Sequence, residues 1–480
     1  MESVWLGIDV GTQSVRALAA TADGRMAGRG AAPLHSARDG DRHEQDPESW
    51  WRAAGEASRA ALAAAGEVAV RGVAVCATSG TILLTDADGT PLTPGLMYDD
   101  GRAVREAARA QEAGAEVWDR LGVRIQPSWA LAKVLWLARD LPPGARLRHQ
   151  PDLVTARLAG HPVPADSSHA LKTGYDLLGE TWPLEVFGRL NLPPELFPPV
   201  VRPGTVLGEV CAAAEQHTGI PAGTPIVAGM TDGCAAQLGS GALEVGRWNS
   251  VLGTTLVLKG VTATPIHDPT GVMYSHHSPD GTWLPGGASS VGGGALPAAG
   301  LAELDEQARV YEPSTAVAYP LAGHGERFPF LAPEAAGFMC GAPRDAADRH
   351  AALLQGVAFV ERLALAYVCG LGAPVEGPLT FTGGAVRSRY WTQLRADILG
   401  RQARIPEHAD AALGMAVLAA YGTSGRRPLP EIAAAMVRIR TTIDPRPADR
   451  FTASYHRLVD ELEHRGWLPA DVAAYARDHR

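Results

Sequence analysis

The apolar and polar positions of the first hundred residues predict a sheet with a hairpin. Residues 4–10, VWLGIDV, form a short apolar run that is typical of a buried strand. Residues 15–33 alternate in polarity around Asp23-Gly24, a turn dipeptide, which predicts two hairpin strands. Residues 70–92 predict a buried strand, a Gly/Ser turn and a further strand.

A helix is expected between the hairpin and this later pair of strands. Asp46 is a suitable N-cap, because its carboxylate can accept a hydrogen bond from a free N–H of the first turn. Pro47 follows at the first helical position, and Gly66 is a suitable stop. Strands, hairpin and helix in this order indicate an α/β domain.

The second half of the chain repeats the opening pattern weakly. Residues 248–260, WNSVLGTTLVLKG, again lead from an apolar strand through glycine and threonine into another apolar strand. A chain of 480 residues is also too long for one core. We therefore expect two similar domains, residues 1–242 and 243–425, followed by a helical C-terminal appendage at residues 426–480.

Composition excludes several classes of function. The net charge is −9 with no Lys/Arg-rich run, so nucleic acid and anionic membranes are poor partners. The five cysteines are odd in number and form no CxxC pair, so neither disulfides nor a cysteine zinc site is expected. No leader-like segment and no unbroken apolar stretch of about 18 residues stands out, so we expect a cytoplasmic protein.

Two glycine turns follow predicted strands and could bind phosphate. The P-loop and the Gly-x-Gly-x-x-Gly fingerprint are absent, so any phosphate site must be distributed along the chain. The turn at 11–14, Gly-Thr-Gln-Ser, and the turn at 253–255, Gly-Thr-Thr, offer backbone N–H groups and hydroxyls. Asp9 precedes the first turn, where it would either hold Mg²⁺ near a phosphate or hydrogen-bond within the turn.

Asp232 is a second carboxylate at the end of a predicted strand. It follows PIVAGMT and precedes a run of small residues that predicts a helix. The residue could act only as a helix N-cap, or it could be a general base that takes a proton from a hydroxyl.

Two further glycine-rich segments could accept a flat base or a ribose against the backbone. They are residues 381–391, FTGGAVRSRYW, and residues 285–296, PGGASSVGGGAL. An ordinary strand-to-helix turn explains either segment as well.

Together these motifs resemble the FGGY carbohydrate kinases over roughly residues 4–425. The resemblance is carried, in chain order, by LGIDVGTQSVRA, EQDPESWW, MYDDGRA, AGMTDGCAA, SVLGTTLVL, FTGGAVRSRYW and ADAALGMAVLAA. It implies an α/β fold of two actin-like ATPase (ribonuclease H-like) domains with a nucleotide cleft between them. It also implies ATP and Mg²⁺ as cofactors and a small sugar as the substrate. Because family members are often dimers, a homodimer is an expectation.

The resemblance assigns a role to each matching position. Asp232 would be the catalytic base, and Asp9 would place Mg²⁺. The sugar would contact Ser79, Thr78, Lys172 and Asp232, with His169 a weaker candidate for the pocket wall. The nucleotide would contact Thr12, Gln13, Gly253, Thr254, Gly294, Gly383, Gly384, Ala385 and Ser388, with Trp391 nearby.

Within the family, five segments look most like the D-ribulokinase group. They are ATSGTILL, SWALAKVLWL, SHALKTGYD, GVMYSHH and GERFPF. Thr78-Ser79 stands where xylulokinases of the family usually place a Met-His pair. D-ribulose is therefore the first expected substrate, with its terminal hydroxyl phosphorylated, and D-xylulose is the alternative. Another polyol or ketose, or an actin-like ATPase switch without a sugar substrate, is also open.

Overall fold

The structure, a computed structural model, describes residues 1–297, 301–425 and 427–479. The chain divides into two compact units. The first unit contains residues 1–243, 276–282 and 408–438. The second unit contains residues 244–275, 283–407 and 439–480.

Residues 1–243 form thirteen strands and nine helices within the described chain. The strands are β1 (Glu2–Val10), β2 (Ser14–Thr21), β3 (Met26–Pro33), β4 (Ala37–Asp39), β5 (Arg42–Gln45), β6 (Val68–Ala77), β7 (Ile82–Thr85), β8 (Gly95–Leu96), β9 (Arg146–His149), β10 (Ala165–Asp166), β11 (Val200–Val201), β12 (Val206–Glu209) and β13 (Pro225–Val227). The helices are α1 (Pro47–Ala65), α2 (Val104–Ala113), α3 (Ala115–Leu121), α4 (Ala130–Leu137), α5 (Gln150–Ala159), α6 (Ser167–Ala170), α7 (Leu184–Arg189), α8 (Ala212–Thr218) and α9 (Asp232–Ser240).

The remaining elements follow in chain order. The strands are β14 (Trp248–Leu252), β15 (Leu256–Gly260), β16 (Tyr274–His277), β17 (Trp283–Ser289), β18 (Val317–Glu326), β19 (Ala332–Cys340), β20 (Leu379–Thr382), β21 (Ala403–Pro406) and β22 (Ile439–Ile443). The helices are α10 (Leu301–Ala308), α11 (Ala346–Gly370), α12 (Arg389–Leu399), α13 (Ala411–Thr423), α14 (Leu429–Met436), α15 (Thr452–His464) and α16 (Ala470–Asp478).

The main sheets of the two units share one strand order, which confirms the internal repeat. The first sheet runs β3-β2-β1-β6-β13-β12, and β1, β6 and β13 are parallel. The second contains the run β17-β15-β14-β20-β21-β22, and β14, β20 and β21 are parallel. In both units an antiparallel hairpin opens the sheet, β1-β2 in the first and β14-β15 in the second.

Helix α1 begins and ends where the sequence predicts. The Asp46 carboxylate accepts a hydrogen bond from the Glu48 N–H, Pro47 opens the helix, and Gly66 is its C-cap. Trp50, Ala54, Ala57 and Ala61 recur at helical spacing and are all buried in the core of the first unit. The local pattern thus fixed both the bounds and the buried face of this helix.

Helix α13 packs directly against strand β1 and helix α9 of the same unit, because small residues make these contacts. A Cβ on Gly7 of β1 would come 1.8 Å from the Ala412 carbonyl oxygen. A Cβ on Gly414 would come equally close, 1.8 Å, to the Ala235 carbonyl oxygen of α9. The strand, α9 and α13 therefore approach at backbone distance, and no side chain fits between them.

We expect Gly7→Ala to destabilise the first unit by about 1–3 kcal/mol, because the added methyl group meets backbone atoms that cannot rotate away. The measurement is the midpoint of thermal or urea unfolding. Gly188→Ala in α7 is the matched control, since a Cβ there meets nothing within 4 Å. Equal midpoints for the two variants would contradict the close packing of α13 on β1.

Helix α11 is long and apolar enough to cross a membrane by length and composition alone. However, 89% of its most apolar window is buried inside the protein. Its buried residues include Leu354, Val357 and Leu363, which belong to the core of the second unit. Helix α11 therefore serves as a core helix here.

The C-terminal segment differs from the predicted helical appendage. Residues 408–438, which include α13 and α14, belong to the first unit, whereas residues 439–480 belong to the second. Within that second segment, β22 pairs antiparallel with β21 and extends the sheet. Its five residues are almost all exposed, so the strand lacks the apolar alternation by which a strand is read from sequence.

Candidate active site

The carboxyl ends of parallel strands in the first unit bring two predicted site residues together. Asp9 lies at the end of β1, beside Cys76 of β6. Ala77, the next residue of β6, forms a bridge with Thr231, which directly precedes Asp232. Carboxyl ends of parallel strands are where α/β sheets place ligand sites.

Asp9 is held in a buried and electronegative position. The residue is 9% exposed, and the Cys76 thiol donates to its Oδ1 at 3.6 Å. Burial, with the charges of Asp232 and Asp410, raises the pKa of Asp9 to about 6 against the opposing effect of Arg16. The two carboxylates therefore interact electrostatically, and the charge of Asp232 affects the protonation of Asp9.

Asp232 is the first residue of α9, and it is not the N-cap. Thr231 holds the cap position, with extended backbone angles. The Asp232 Oδ1 accepts a hydrogen bond from the Gly233 N–H at 2.7 Å, and the residue is half-buried. The structure therefore places its carboxylate at the helix N-terminus, where negative charge is favoured, and leaves it accessible.

The 78–81 loop, which connects β6 to β7, lies beside this pair of carboxylates. Thr78 is buried, and its hydroxyl bonds to Gln150 Oε1 at 2.9 Å and to Thr81. The Lys172 ammonium donates to the Ser79 carbonyl at 3.2 Å. The Ser79 Oγ is itself buried and has no hydrogen-bond partner in the part of the chain that the structure describes.

Residues of helix α6 form hydrogen bonds to Thr231 and to Ala77 at the end of β6. The Ser168 hydroxyl accepts from the Thr231 N–H at 3.1 Å, and the His169 ring contacts the Ala77 carbonyl through Nε2 at 3.2 Å. The Asp166 carboxylate bonds His169 Nδ1 at 2.7 Å and keeps the pKa of this buried histidine above its usual value. His169 therefore holds the end of β6, and all four predicted sugar residues lie within this one region.

The turn after β1 is fixed by side chains and backbone of the first unit. Gln45 donates to the Thr12 carbonyl at 2.7 Å, and the Leu34 N–H donates to the Gln13 carbonyl at 2.9 Å. Gln13 itself is exposed, and Thr12 is half-buried. A turn with its carbonyls bonded inward can present its N–H groups outward to an anion.

A cavity of about 510 Å³ in the second unit collects most of the predicted nucleotide residues. The predicted residues that line it are Gly253, Thr254, Gly294, Gly384, Ala385, Ser388 and Trp391. The cavity lies at the carboxyl ends of the parallel strands β14 and β20, which end at Leu252 and Thr382.

The glycine segments around this cavity rest on one another's backbone. The Gly293 N–H donates to the Gly253 carbonyl at 2.8 Å, and the Gly294 N–H donates to the Thr254 carbonyl at 3.0 Å. Gly383 has a φ of +85°, and a Cβ there would come 2.5 Å from the Leu252 carbonyl oxygen. Gly383 therefore shapes the cavity without lining it.

Ser388 lines the cavity and also caps the N-terminus of helix α12. It is the N-cap of α12, and its hydroxyl accepts from the Trp391 N–H at 3.0 Å. The same hydroxyl donates to Asp305 Oδ2 at 2.5 Å, and His350 bonds the other oxygen of Asp305 at 2.8 Å. Asp305 also lines the cavity, which adds an acceptor to its wall.

Gly384 offers a direct test of the cavity. A Cβ there meets nothing within 4 Å, so Gly384→Leu should fold normally but occupy the cavity. We expect it to weaken nucleotide binding at least about tenfold, which corresponds to roughly 1.4 kcal/mol, as measured by calorimetry with ADP. Gly323→Leu, an exposed site of the same unit that is equally open, should bind normally. Unchanged affinity in Gly384→Leu would show that nucleotide binds elsewhere.

Sequence reasoning missed three buried polar residues of these sites: Gln150, Lys133 and Asp305. Each forms a hydrogen bond to a segment that the motifs identified: Gln150 to Thr78, Lys133 to Gly80 and Asp305 to Ser388. For Lys133, the sequence offered one signal. Lysine is rare in this chain, since only three of its 43 basic residues are lysines. All three donate to main-chain carbonyls.

Known proteins match the chain along nearly its whole length. The model of the FGGY family of carbohydrate kinases, N-terminal domain, matches residues 4–239, and that of the C-terminal domain matches residues 248–423. A xylulose kinase of Streptomyces coelicolor is 34% identical, with 90% of each chain covered. A xylulose kinase of Streptomyces rubiginosus is 33% identical over 88% of this chain and 89% of the relative.

Among solved structures, the xylulose kinase from Rhodospirillum rubrum superposes with a TM-score of 0.86 at 26% identity, covering 96% of this chain and 98% of that one. Both domain models, the identity to relatives and the repeated sheets agree. The chain therefore belongs to the FGGY family of carbohydrate kinases, and it is a sugar kinase with that family's two-domain α/β fold.

Proposed function

We propose that this kinase transfers the γ-phosphoryl group of ATP to the terminal hydroxyl of a ketopentose, with D-xylulose as the first candidate. The observation that carries the proposal is the half-buried Asp232 carboxylate, which is electrostatically coupled to buried Asp9 and directly follows Thr231, the bridge partner of the β6 end from which the 78–81 loop starts. Two relatives that are 34% and 33% identical over about nine-tenths of the chain are xylulose kinases, which supports a ketopentose.

Asp232 is the proposed general base. Its carboxylate accepts the proton of the sugar hydroxyl as that oxygen attacks phosphorus. The first turn of α9 favours the ionised form, and the Gly233 N–H fixes one of its oxygens.

Ser79 and Lys172 are the proposed sugar contacts. The buried Ser79 Oγ lacks a partner among the described residues, and a sugar hydroxyl would supply one. The Thr78 hydroxyl is already bonded to Gln150 and Thr81, so Thr78 contributes by shaping the loop. A site built to hydrogen-bond a substrate hydroxyl rejects analogues that lack this hydroxyl, because its buried polar group would then be left unpaired.

Asp9 fits a magnesium ion of the kind that accompanies nucleotide phosphates. Among residues 1–297, 301–425 and 427–479, no three His, Cys, Asp or Glu side chains form a metal cluster. Mg²⁺ commonly uses one or two carboxylates together with waters and phosphate oxygens, so a lone buried carboxylate is compatible with it. When bound, the ion would neutralise phosphate charge, and Asp9 is the residue that would hold it.

The nucleotide is proposed to use the cavity of the second unit. Ala385 and Trp391 give that cavity an apolar wall for adenosine, and the turn at Gly253-Thr254 is its proposed phosphate-binding element. Thr12 and Gln13 of the first unit are proposed to contact phosphate through their turn.

Substrate choice is tested by comparing kcat/KM for D-xylulose, D-ribulose, D-gluconate and glycerol in an ADP-release assay. We expect a ketopentose to be preferred, with D-xylulose first on the evidence of the relatives. D-ribulose remains the second candidate, because Thr78-Ser79 replaces the Met-His pair usual in xylulokinases. Preference for gluconate or glycerol, or release of ADP that no sugar accelerates, would contradict the proposal.

A further inference from the structure

We propose that Lys133 is a positioning residue of the sugar site, which fixes the 78–81 loop so that the Ser79 hydroxyl is presented to the sugar. The inference rests on the proposed function and extends it to a residue that does not touch the substrate. The first unit contains a fully buried lysine that contacts main-chain oxygens.

Lys133 projects from α4 and is 0% exposed. Its ammonium group donates to the Gly80 carbonyl at 2.7 Å and to the Met97 carbonyl at 2.7 Å. Within the described chain it forms no ion pair, and burial lowers its pKa to about 7. A buried amine is costly unless its hydrogen bonds are satisfied, so these two carbonyls account for its presence.

The rest of the 78–81 loop is anchored in the same way. Gln150 Oε1 accepts from the Thr78 N–H at 3.3 Å, and the Gln150 N–H donates to the Thr81 carbonyl at 3.1 Å. Lys172 holds the Ser79 carbonyl at 3.2 Å, next to the Gly80 carbonyl that Lys133 holds. Every residue of the loop is therefore fixed through its backbone, and the Ser79 Oγ is left without a partner.

Lysine suits this position better than arginine, although arginine supplies nearly all basic residues of the chain. Two carbonyls that converge on one point match the compact ammonium, whereas the planar guanidinium needs more space and spreads its donors. Gly80 has a φ of +100°, so the loop uses a backbone conformation that is strained for other residues and needs support. Loss of Lys133 would remove the ammonium bond from the Gly80 carbonyl, whereas the Met97 carbonyl would keep its bond from the Asp100 N–H at 3.0 Å, so the loop would lose its support at Gly80.

The test is a double-mutant cycle between Lys133→Met and Ser79→Ala, read as the KM for the ketopentose. We expect each single variant to raise this KM roughly tenfold, and the double variant to exceed either single one by less than about threefold. The KM for ATP should stay within about twofold of the wild-type value, because the nucleotide residues are untouched.

Lys259→Met is the matched control. Lys259 is a buried lysine of the second unit that donates to the Leu284 carbonyl at 3.3 Å, so its loss tests the general cost of such a residue. We expect a lower melting temperature but an unchanged sugar KM. If Lys133→Met does not fold, Lys133→Gln keeps two N–H donors on a shorter side chain and should give a smaller rise in KM.

The outcomes separate this inference from the proposed function. Additive effects in the cycle, an unshifted sugar KM in folded Lys133 variants, or an equal rise in Lys259→Met would overturn the positioning role while leaving the kinase assignment intact. A wild-type enzyme that phosphorylates no ketopentose would overturn the proposed function and this inference with it.

Discussion

Replacing Asp232 by Asn is expected to lower sugar phosphorylation by about 10²–10⁴-fold, since an amide cannot accept the hydroxyl proton. The side chain keeps its size, and an amide oxygen can still accept from the Gly233 N–H. Helix α9 should therefore keep its first turn, and the loss should appear in kcat more than in the KM for ATP. The measurement is steady-state ADP release with saturating ketopentose.

Asp471→Asn is the control for this substitution. Asp471 lies in the first turn of α16, where it is exposed, so it matches Asp232 in residue type and helix position but belongs to no proposed site. We expect wild-type kinetics from it. Turnover of Asp232→Asn close to the wild-type rate would remove Asp232 from the mechanism.

The second large effect is expected at Asp9, where activity and stability should move in opposite directions. Asp9→Asn removes the carboxylate proposed to hold Mg²⁺, and the apparent affinity for the ion should fall by roughly 10–100-fold, as is typical for groups that support a metal. A titration of activity against Mg²⁺ at fixed ATP measures this.

The stability of the ligand-free protein should rise in the same variant. Because the pKa of Asp9 is raised from 3.8 to about 6, the folded state binds the proton more tightly than the unfolded chain does. The free energy of unfolding therefore falls as pH increases from about 4 to 6, and above that window the ionised Asp9 costs about 3 kcal/mol. Asparagine carries no such cost.

The melting temperatures of wild type and Asp9→Asn, measured without ligands from pH 4 to 8, test this directly. We expect the variant's advantage to grow from pH 4 to about 6 and then to level off. Asp88→Asn, an exposed surface change, should follow the wild-type curve at every pH. A constant difference between wild type and Asp9→Asn would show that Asp9 is not the titrating group.

Local patterns in the sequence predicted the elements whose signals are contiguous. The Asp46-Pro47 start and the Gly66 stop of α1 are confirmed because capping depends on a few adjacent residues. The repeat of the opening stretch at residues 248–260 is confirmed by two main sheets with the same strand order, since an apolar strand and its glycine turn specify a hairpin locally.

Contacts between segments that are far apart in the sequence could not be predicted from these local patterns. Residues 408–438 belong to the first unit because glycines of α13 and β1 allow contact at backbone distance, and no local pattern identifies the partner of a small-residue helix. β22 is short and exposed, so its pairing with β21 leaves no trace in the hydrophobic pattern.

In the candidate site, too, the local features could be predicted from the sequence and the long-range contacts could not. Glycine turns and strand-end carboxylates are visible in the sequence, and the structure brings Asp9 and Asp232 into one field through the register of β1 and β6. The buried groups that hold these turns are not visible, because a lone Lys133 or Gln150 looks like any surface residue until the carbonyl it faces is known.

The most direct measurement of the central claim is phosphorus NMR of the products formed from ATP and D-xylulose by the wild-type enzyme. The account predicts one phosphate ester on a terminal, primary hydroxyl of the sugar and one ADP for each ester formed. Inorganic phosphate together with unmodified sugar, after trials with D-xylulose and D-ribulose alike, would contradict it.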